Sequence, residues 1–355
     1  MSAKFLKPQK GFSIVEIMVG LVMGLIVTLV VMQAYATFEG QKRRTGGGAD
    51  AQTNGTLALY DLQRDASAAG FGLPASNSTA SAFNCPVDTL INGVAISPVS
   101  IVDGGGGAGN SDTVVFRSGT GAYNSGVATT KITGVSGTAL SVDNNLGCNV
   151  GDVALLINIG AATCGSSTVV SLTGGTGLTL SAVPTSAVVT GGVACMGAPA
   201  NAWIENSYAV ANNNLMLTTG GAAAVNVASG IVNIQAQYGI STAGNVDTVS
   251  AWVDATDQSA VAGGANWAAP TLANRNRIKA IRIAVVARNG QLEQAAVTTP
   301  CSATYIHGPC SWAGGSAVDL TNLLDAGGAT NWQNYRYRVF SAIVTLRSMV
   351  WTGGK

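Results

Sequence analysis

Lys10-Gly11-Phe12-Ser13-Ile14-Val15-Glu16 opens a run that continues without a break from Ile17 to Met32, and the reading of this run decides how the chain is built. Between Phe12 and Met32 the only charged side chain is Glu16, and nearly everything else is Val, Ile, Leu, Met or Gly. As a helix rising 1.5 Å per residue, such a run spans ~30 Å, the thickness of a bilayer's hydrocarbon core. A carboxylate inside it costs ~2–3 kcal/mol or more in lipid unless a partner meets it. Glu16 is therefore a candidate functional residue, and its partner has to be identified.

Lys4, Lys7 and Lys10 precede the run, and a basic flank of this kind stays on the cytoplasmic side. One reading is a cleaved secretory signal, for which Ala34-Tyr35-Ala36 supplies an A-x-A pattern. The run is longer than the usual ~7–15-residue apolar region of such signals, and it carries an acid. A second reading is a plain single-pass anchor, which leaves Glu16 and the Gly-Phe junction without a role. A third accounts for each part. Gly11-Phe12-Ser13-Ile14-Val15-Glu16 resembles the class III leader junction of type IV prepilins and pseudopilins. The resemblance implies that a membrane-embedded prepilin peptidase cuts between Gly11 and Phe12 and methylates the new amine of Phe12. It also implies that Glu16, the fifth residue after the cut, pairs with the N-terminal amine of a neighbouring subunit. A buried carboxylate is tolerable when paired, and a paired acid fixes register between packed helices.

Composition fits export. Among 355 residues only 10% are charged, 47% are hydrophobic and 46 are Gly. Loss of residues 1–11 removes three lysines and no acid, leaving 15 basic against 17 acidic residues, a net charge of −2. With no basic surplus, general nucleic-acid binding is not expected. The six cysteines, Cys85, Cys148, Cys164, Cys195, Cys301 and Cys310, all follow the apolar run, and none forms a CxxC pair. That excludes a zinc framework and points to disulfides in an exported domain, with fifteen connectivities open. Cys301 and Cys310 are the one pair near enough in sequence to propose.

Beyond Met32 helical character continues through Gln33–Arg44, becoming polar. Gly46-Gly47-Gly48 then predicts a hinge or melted turn, since each Gly costs a helix ~1 kcal/mol relative to Ala. Helix resumes over Ala51–Ala69, with Leu59, Leu62, Ala66 and Ala69 on one face and Asp61, Arg64 and Asp65 off it; Gly70, Gly72 and Pro74 end it. Residues 75–230 are short runs of Ser, Thr, Gly, Ala and Val. Candidate strands are Asp112–Arg117, Ala139–Asp143, Asp152–Ile157, Thr168–Leu172 and Ala187–Val189. Gly104, Gly106 and Gly109 match G-x-G-x-x-G, but a strand-like run follows them rather than a helix, which argues against a dinucleotide site.

The last third is more regular. Ile231–Ile240 alternates, with Val232, Ile234, Ala236, Tyr238 and Ile240 on one face against Asn233, Gln235 and Gln237. Arg277–Arg288 sets Ile281, Ile283, Val285 and Ala287 on one face, and Tyr335–Arg347 does the same with Phe340, Ala342, Val344 and Leu346. These three predict an antiparallel sheet that receives the Ala51–Ala69 helix. The fold class expected is α+β: a long N-terminal transmembrane and amphipathic helix packed on an antiparallel β-sheet, with a large Gly/Ser/Thr-rich β-region. The divisions expected are a leader at 1–11, a transmembrane assembly helix at 12–36, its periplasmic continuation at 37–74, a β-rich region at 75–230 and a C-terminal sheet region at 231–355.

Asn54-Gly55-Thr56-Leu57-Ala58-Leu59, Arg64-Asp65, Ala69-Gly70-Phe71-Gly72, Gly151-Asp152-Val153-Ala154-Leu155-Leu156, Gln235-Ala236-Gln237-Tyr238-Gly239, Ile278-Lys279-Ala280-Ile281-Arg282-Ile283 and Tyr335-Arg336-Tyr337-Arg338-Val339-Phe340 follow one another along the chain. Together they resemble the PilW-like minor pilins of type IV pili. The likeness is specific at the two ends and loose through 75–230. It implies a subunit inserted in the inner membrane and then carried into a pilus at the cell surface, where it primes or caps the fibre at the tip. The partners implied are other minor pilins, the major pilin, the prepilin peptidase and often a large tip adhesin. A type II secretion minor pseudopilin is the near alternative, and a membrane-anchored exported adhesin or binding protein the more distant one.

An enzyme finds little support. His307 is the only histidine and lies in the loop between Cys301 and Cys310, a poor basis for a triad or a metal centre. Asp247, Asp254 and Asp257 fail the EF-hand spacing. Arg336 and Arg338 alternate with Tyr335 and Tyr337, which suits an outward face more than cation–π pairing. No cofactor, metal or catalytic residue is expected.

Overall fold

The computed structural model of the chain describes residues 11–71, 85, 90, 91, 94–104, 110–119, 129–158, 163–199, 202–256, 267–304, 306–312, 318–321, 323 and 331–350. Two compact units result, Met1–Asp50 and Ala51–Lys355. Helix α1 runs from Ile14 to Ala68 without interruption, so the melted turn expected at Gly46-Gly47-Gly48 is not formed. The magnitudes explain it. Three glycines cost about 3 kcal/mol in propensity, whereas stopping and renucleating a helix costs about 4 kcal/mol at a nucleation constant near 10⁻³. Local bonds just upstream also favour continuity, with Arg43 paired to Glu39 at 3.0 Å and the Thr45 hydroxyl donating to the Gln41 carbonyl at 3.0 Å.

After the helix comes a small hairpin of β1 (Leu90–Ile91) and β2 (Val94–Ala95), then β3 (Val99–Val102) and β4 (Thr113–Gly119). Six strands follow: β5 (Thr129–Ser136), β6 (Ala139–Val142), β7 (Val153–Asn158), β8 (Thr163–Thr173), β9 (Gly177–Leu180) and β10 (Gly192–Cys195). They close into an antiparallel barrel in the order β10-β5-β6-β9-β8-β7. The strand expected at Ala187–Val189 is a turn instead, with the Ala187 N–H donating to the Pro184 carbonyl at 2.9 Å; β10 takes its place in the barrel. Next are β11 (Trp203–Ala211), β12 (Asn214–Thr219) and β13 (Val225–Ser229), which join β4 and β3 in a five-stranded sheet ordered β13-β12-β11-β4-β3. Asn212 and Asn213, with φ 51° and 59°, make the tight turn between β11 and β12, the left-handed pair that a two-residue hairpin of this hand requires. Finally β14 (Ile231–Ile240), β15 (Ala251–Val253), β16 (Ile278–Arg288) and β17 (Tyr337–Thr345) form a four-stranded antiparallel sheet ordered β15-β14-β16-β17.

The barrel is an insertion at the end of a hairpin. β4 and β11 pair directly, Gly119 opposite Trp203, and the barrel occupies the chain between them. It has its own interior, built from Ile132, Leu140, Leu156, Val169, Leu178 and Val193 among others. β7 serves two cores at once. Its period of two sends Ala154 and Leu156 into the barrel and Leu155 and Ile157 into the main core. Disulfides hold this arrangement. Cys148–Cys195 closes the barrel on itself, Cys85–Cys164 ties β8 to the segment before β1, and Cys301–Cys310 closes a loop of the C-terminal region. Loop closure over separations of 79, 47 and 9 residues corresponds to about 4 kcal/mol for each long loop and about 2.5 kcal/mol for the short one.

The main core lies between the two open sheets and the second half of α1. Ala51, Ala58, Leu62 and Ala66 are buried there with Ile234, Ile281, Ile283 and Val285. Gly55 meets the ring of Phe340, a space that a Cβ would fill. Asp65 departs from the expected pattern, because it is buried rather than turned away. Its carboxylate accepts from the Tyr208 hydroxyl and the Asn206 amide, each at 2.7 Å, and from the Arg64 guanidinium at 3.0 Å. Burial and the Asp65 charge push the Tyr208 hydroxyl upward in pKa, so it stays a donor. Val232 departs too. A bulge between Ile231 and Asn233 turns it from the helix side into a second cluster with Val286, Val318, Leu320 and Trp332. β14 is consequently buried on both faces.

The part of β14 that β15 does not reach is covered by Asn110–Asp112. The Asp112 N–H donates to the Ile234 carbonyl at 2.8 Å, and the Asp112 carboxylate accepts from the Ala236 N–H at 2.7 Å and the Gly104 N–H at 3.2 Å. Burial outweighs these two donors, with Asp103 and Asp254 nearby adding like charge, and the carboxyl is pushed up to about 7.

Two predictions follow from these anchors. Asp65→Ala removes the shared acceptor of Tyr208 and Asn206 and should lower the unfolding free energy by about 3 kcal/mol in denaturant titration of the detergent-solubilised chain. For Asp112 the folded pKa lies above the unfolded one. Its contribution is therefore complete below about pH 4, is lost as pH rises to about 7, and amounts to about 4 kcal/mol across that window. Denaturant midpoints measured from pH 4.5 to 7.5 should fall with pH in the wild type, and Asp112→Asn should flatten that slope.

Candidate assembly site

The helix terminus is set by Ser13. Gly11, Phe12 and Ser13 precede the first turn, the Ser13 hydroxyl accepts from the Val15 N–H at 3.3 Å, and the Ser13 carbonyl accepts from the Ile17 N–H at 3.2 Å. Ser13 is thus the N-cap, and Glu16 falls at the third helical position. An acid in the first turn gains ~0.3–1 kcal/mol from the helix dipole. That is less than the ~2–3 kcal/mol or more a carboxylate costs in lipid, so the local role leaves most of the cost of Glu16 uncompensated.

The surface around it is apolar and bare. Phe12 is 79% exposed and Ile14 77%, and Ile17, Leu21, Leu25, Leu29 and Met32 are all exposed as well. The helix is long and apolar enough to cross a membrane, and the apolar window is wholly unburied by protein. Along it, Gly20, Leu21, Gly24, Leu25 and Thr28 line a shallow concavity. The Thr28 hydroxyl is turned back onto the Gly24 carbonyl at 2.8 Å. Small residues four apart let a second helix approach closely in lipid. The signal for this groove in the sequence is the spacing Gly20-x-x-x-Gly24.

Gly11 and Phe12 therefore lie just ahead of the first turn of α1, and Glu16 lies within it. Cys301 and Cys310 lie in the other unit and are joined to each other. The loop they close is held down by stacking: Arg282 lies 4.2 Å from the Trp312 ring and 5.0 Å from that of Trp252, and donates to Gln237, whose amide reaches Asp254 at 2.7 Å. Desolvation lowers the Arg282 pKa, and the nearby Asp254 charge opposes that shift. His307 sits exposed in the same loop.

The other residues singled out in the sequence have separate structural partners. Asp247 pairs with the buried Lys279 at 3.5 Å, Asp254 with Gln237, and Asp257 lies outside the described residues. No group of three metal-ligating side chains occurs among the described residues. Strand β4 follows Gly104, and residues 105–109 of the glycine motif lie outside the described residues. Arg336 pairs with Glu293 at 3.0 Å and Arg338 is exposed, while Tyr335 stacks with Arg288 at 4.4 Å.

Two family models match the chain. One is the type IV pilus-assembly protein W, over residues 203–348, which covers β11 to β17 and leaves the barrel outside. The other is the prokaryotic N-terminal methylation motif, over residues 6–32, which contains the Gly11-Phe12 junction, Glu16 and the exposed apolar turns. No curated protein and no solved structure matches. The chain thus carries a methylation motif that leads into an unburied apolar helix, followed by a region similar to the type IV pilus-assembly protein W, a combination that supports a pilin-like protein associated with the type IV pilus.

Proposed function

We propose that this chain is a minor pilin that primes or caps the type IV pilus at its tip, and that α1 is its assembly element. The observation that carries this reading is the apolar half of α1, exposed at every turn from Phe12 to Met32. Such a surface is not stable in water and must be covered by lipid or by other helices. In the proposed sequence the prepilin peptidase cuts after Gly11 and methylates Phe12, with α1 held in the inner membrane and the β-region on the periplasmic side. Glu16 then meets the Phe12 amine of a neighbouring subunit, which supplies the compensation that the helix dipole does not. Packing against other minor pilins and the major pilin moves the apolar surface from lipid to protein as the chain enters the fibre and reaches the cell surface. A large tip adhesin is a further partner in this reading. The match to the pilus-assembly family favours it over a type II secretion pseudopilin or a fibre-free anchored adhesin.

The test is the mass of the mature N-terminus together with one substitution. A methylated Phe12 is expected; Thr37 would indicate a secretory signal and an intact Met1 a plain anchor. Glu16→Ala should leave cleavage after Gly11 largely intact and lower recovery of the chain in sheared pili by tenfold or more. Wild-type recovery of that variant would remove the role given to Glu16.

A further inference from the structure

A strand at the edge of a sheet presents unpaired N–H and C=O groups to any chain that reaches it, and folds guard such edges by keeping them short, kinked, charged or covered. Most edges here are guarded in one of these ways. β15 has three residues, and the length of β14 beyond it is covered by Asn110–Asp112. β3 has four residues. β13 has five, and its ladder is broken by a bulge at Leu215/Met216. β17 is different. It is nine residues long, contains neither Gly nor Pro, and pairs with β16 in one unbroken register from Ala280 opposite Thr345 to Arg288 opposite Tyr337.

Its free side can be read from the bonds that flank the ladder. The Asn289 N–H donates to the Arg336 carbonyl and the Leu346 N–H donates to the Lys279 carbonyl, both at 2.9 Å. Even-numbered residues of this stretch therefore turn their backbone groups toward β16. With a period of two, the N–H and C=O groups of Tyr337, Val339, Ser341, Ile343 and Thr345 point away from it. Among the described residues nothing bonds to those groups. Ser341, Ile343 and Thr345 are exposed, Ile343 to 64%. The charge along the edge is all of one sign: Arg338 is exposed with no acid paired to it among the described residues, Arg347 is exposed just past the strand, and no acid occurs between Tyr335 and Val350.

We infer that the free edge of β17 accepts an extended strand from a different subunit of the pilus assembly, one that brings an acidic residue to Arg338 and a β-branched or apolar residue beside Ile343. Main-chain bonds would supply the affinity and these two side chains the selectivity. A second copy of this chain fits less well, because its own β17 carries no acid to meet either arginine. The inference rests on the assembly reading above, and its test separates the two.

A photo-cross-linking amino acid is placed at Ser341, at Ile343 and, as a control, at exposed Asn226 on the guarded edge β13, in the full chain expressed with its native envelope machinery. The expected result is adducts from 341 and 343 on residues two apart in one extended segment of another subunit, and none from 226. Ser341→Pro removes only an outward N–H, so it should keep the wild-type melting temperature and lower the adduct from 343 by tenfold or more. Arg338→Glu, at an exposed side chain with no acid paired to it among the described residues, should lower it similarly. A chain cut after Gly11 and recovered with other pilins, yet giving no edge adducts, scattered adducts or adducts to its own copies, would overturn the edge proposal alone. Loss of both cleavage and co-recovery in the wild type would overturn the assembly reading and this proposal with it.

Discussion

An apolar helix whose described side chains are exposed from end to end constrains everything else in this protein. From Ile14 to Met32 the side chains of α1 are exposed, so their stability is decided by the surroundings. In lipid the backbone is satisfied within the helix and only Glu16 is costly. Moved against sister helices, the same surface keeps its apolar contacts, and a neighbour's amine can relieve the acid. In the proposed assembly Glu16 would thus distinguish two environments that the surrounding Val, Ile and Leu cannot tell apart. The shallow groove at Gly20 and Gly24 works in the same direction, because close approach of helices in lipid depends on packing rather than on hydrophobic transfer.

A helix that must leave one half bare has to be fastened firmly at the other. The small residues Ala51, Gly55, Ala58 and Ala66 let the second half of α1 lie close to the sheets, and Phe340 fills the notch at Gly55. Apolar contact of this kind does not by itself fix axial position, since Ala offers little to interlock. Asp65 does, through two 2.7 Å bonds to Asn206 and Tyr208 on β11. Sliding the helix by one residue would strand a buried carboxylate, a phenol and an amide together, at a cost of several kcal/mol. The ending is equally definite: Gly70 adopts φ 79° and its N–H donates to the Arg117 carbonyl at 2.7 Å, so the chain leaves the helix directly onto β4.

How much of this was legible depended on whether a local pattern carried the information. Ile281, Ile283, Val285 and Ala287 alternate cleanly, and the strand they define lies where that alternation puts it. Val232 obeyed the same alternation on paper and was displaced by a bulge, which a period-two reading cannot foresee. Asp65 stands beside Arg64, which suggests a solvated face, whereas its acceptor role depends on Tyr208 more than a hundred residues away. The barrel left the weakest trace. β9 (Gly-Leu-Thr-Leu) and β10 (Gly-Val-Ala-Cys) are four residues each, too short for a period-two pattern to stand out from the Gly/Ser/Thr-rich sequence around them. The pairing of Cys85 with Cys164 was open for a related reason, since the two lie 79 residues apart and only tertiary packing brings them together. By contrast the N-terminal methylation motif is local, carried by the Gly11-Phe12 junction and the apolar run behind it.

The barrel's position says what kind of addition it is. Because β4 and β11 pair at Gly119 and Trp203, the chain leaves and re-enters the five-stranded sheet at adjacent points, and that sheet would close as a hairpin without it. The region matching the pilus-assembly family begins at Trp203, just after the insertion ends. Yet the barrel does not hang from a flexible pair of linkers. Leu155 and Ile157 on the outer side of β7 are part of the main core, and Cys85–Cys164 adds a covalent tie at β8. An insertion joined only at a hairpin end could swing about that point. One that shares a strand between two cores and is bolted by a disulfide must keep its orientation to the sheets, and any surface it presents is therefore presented in a fixed direction with respect to the assembly scaffold on which it is built.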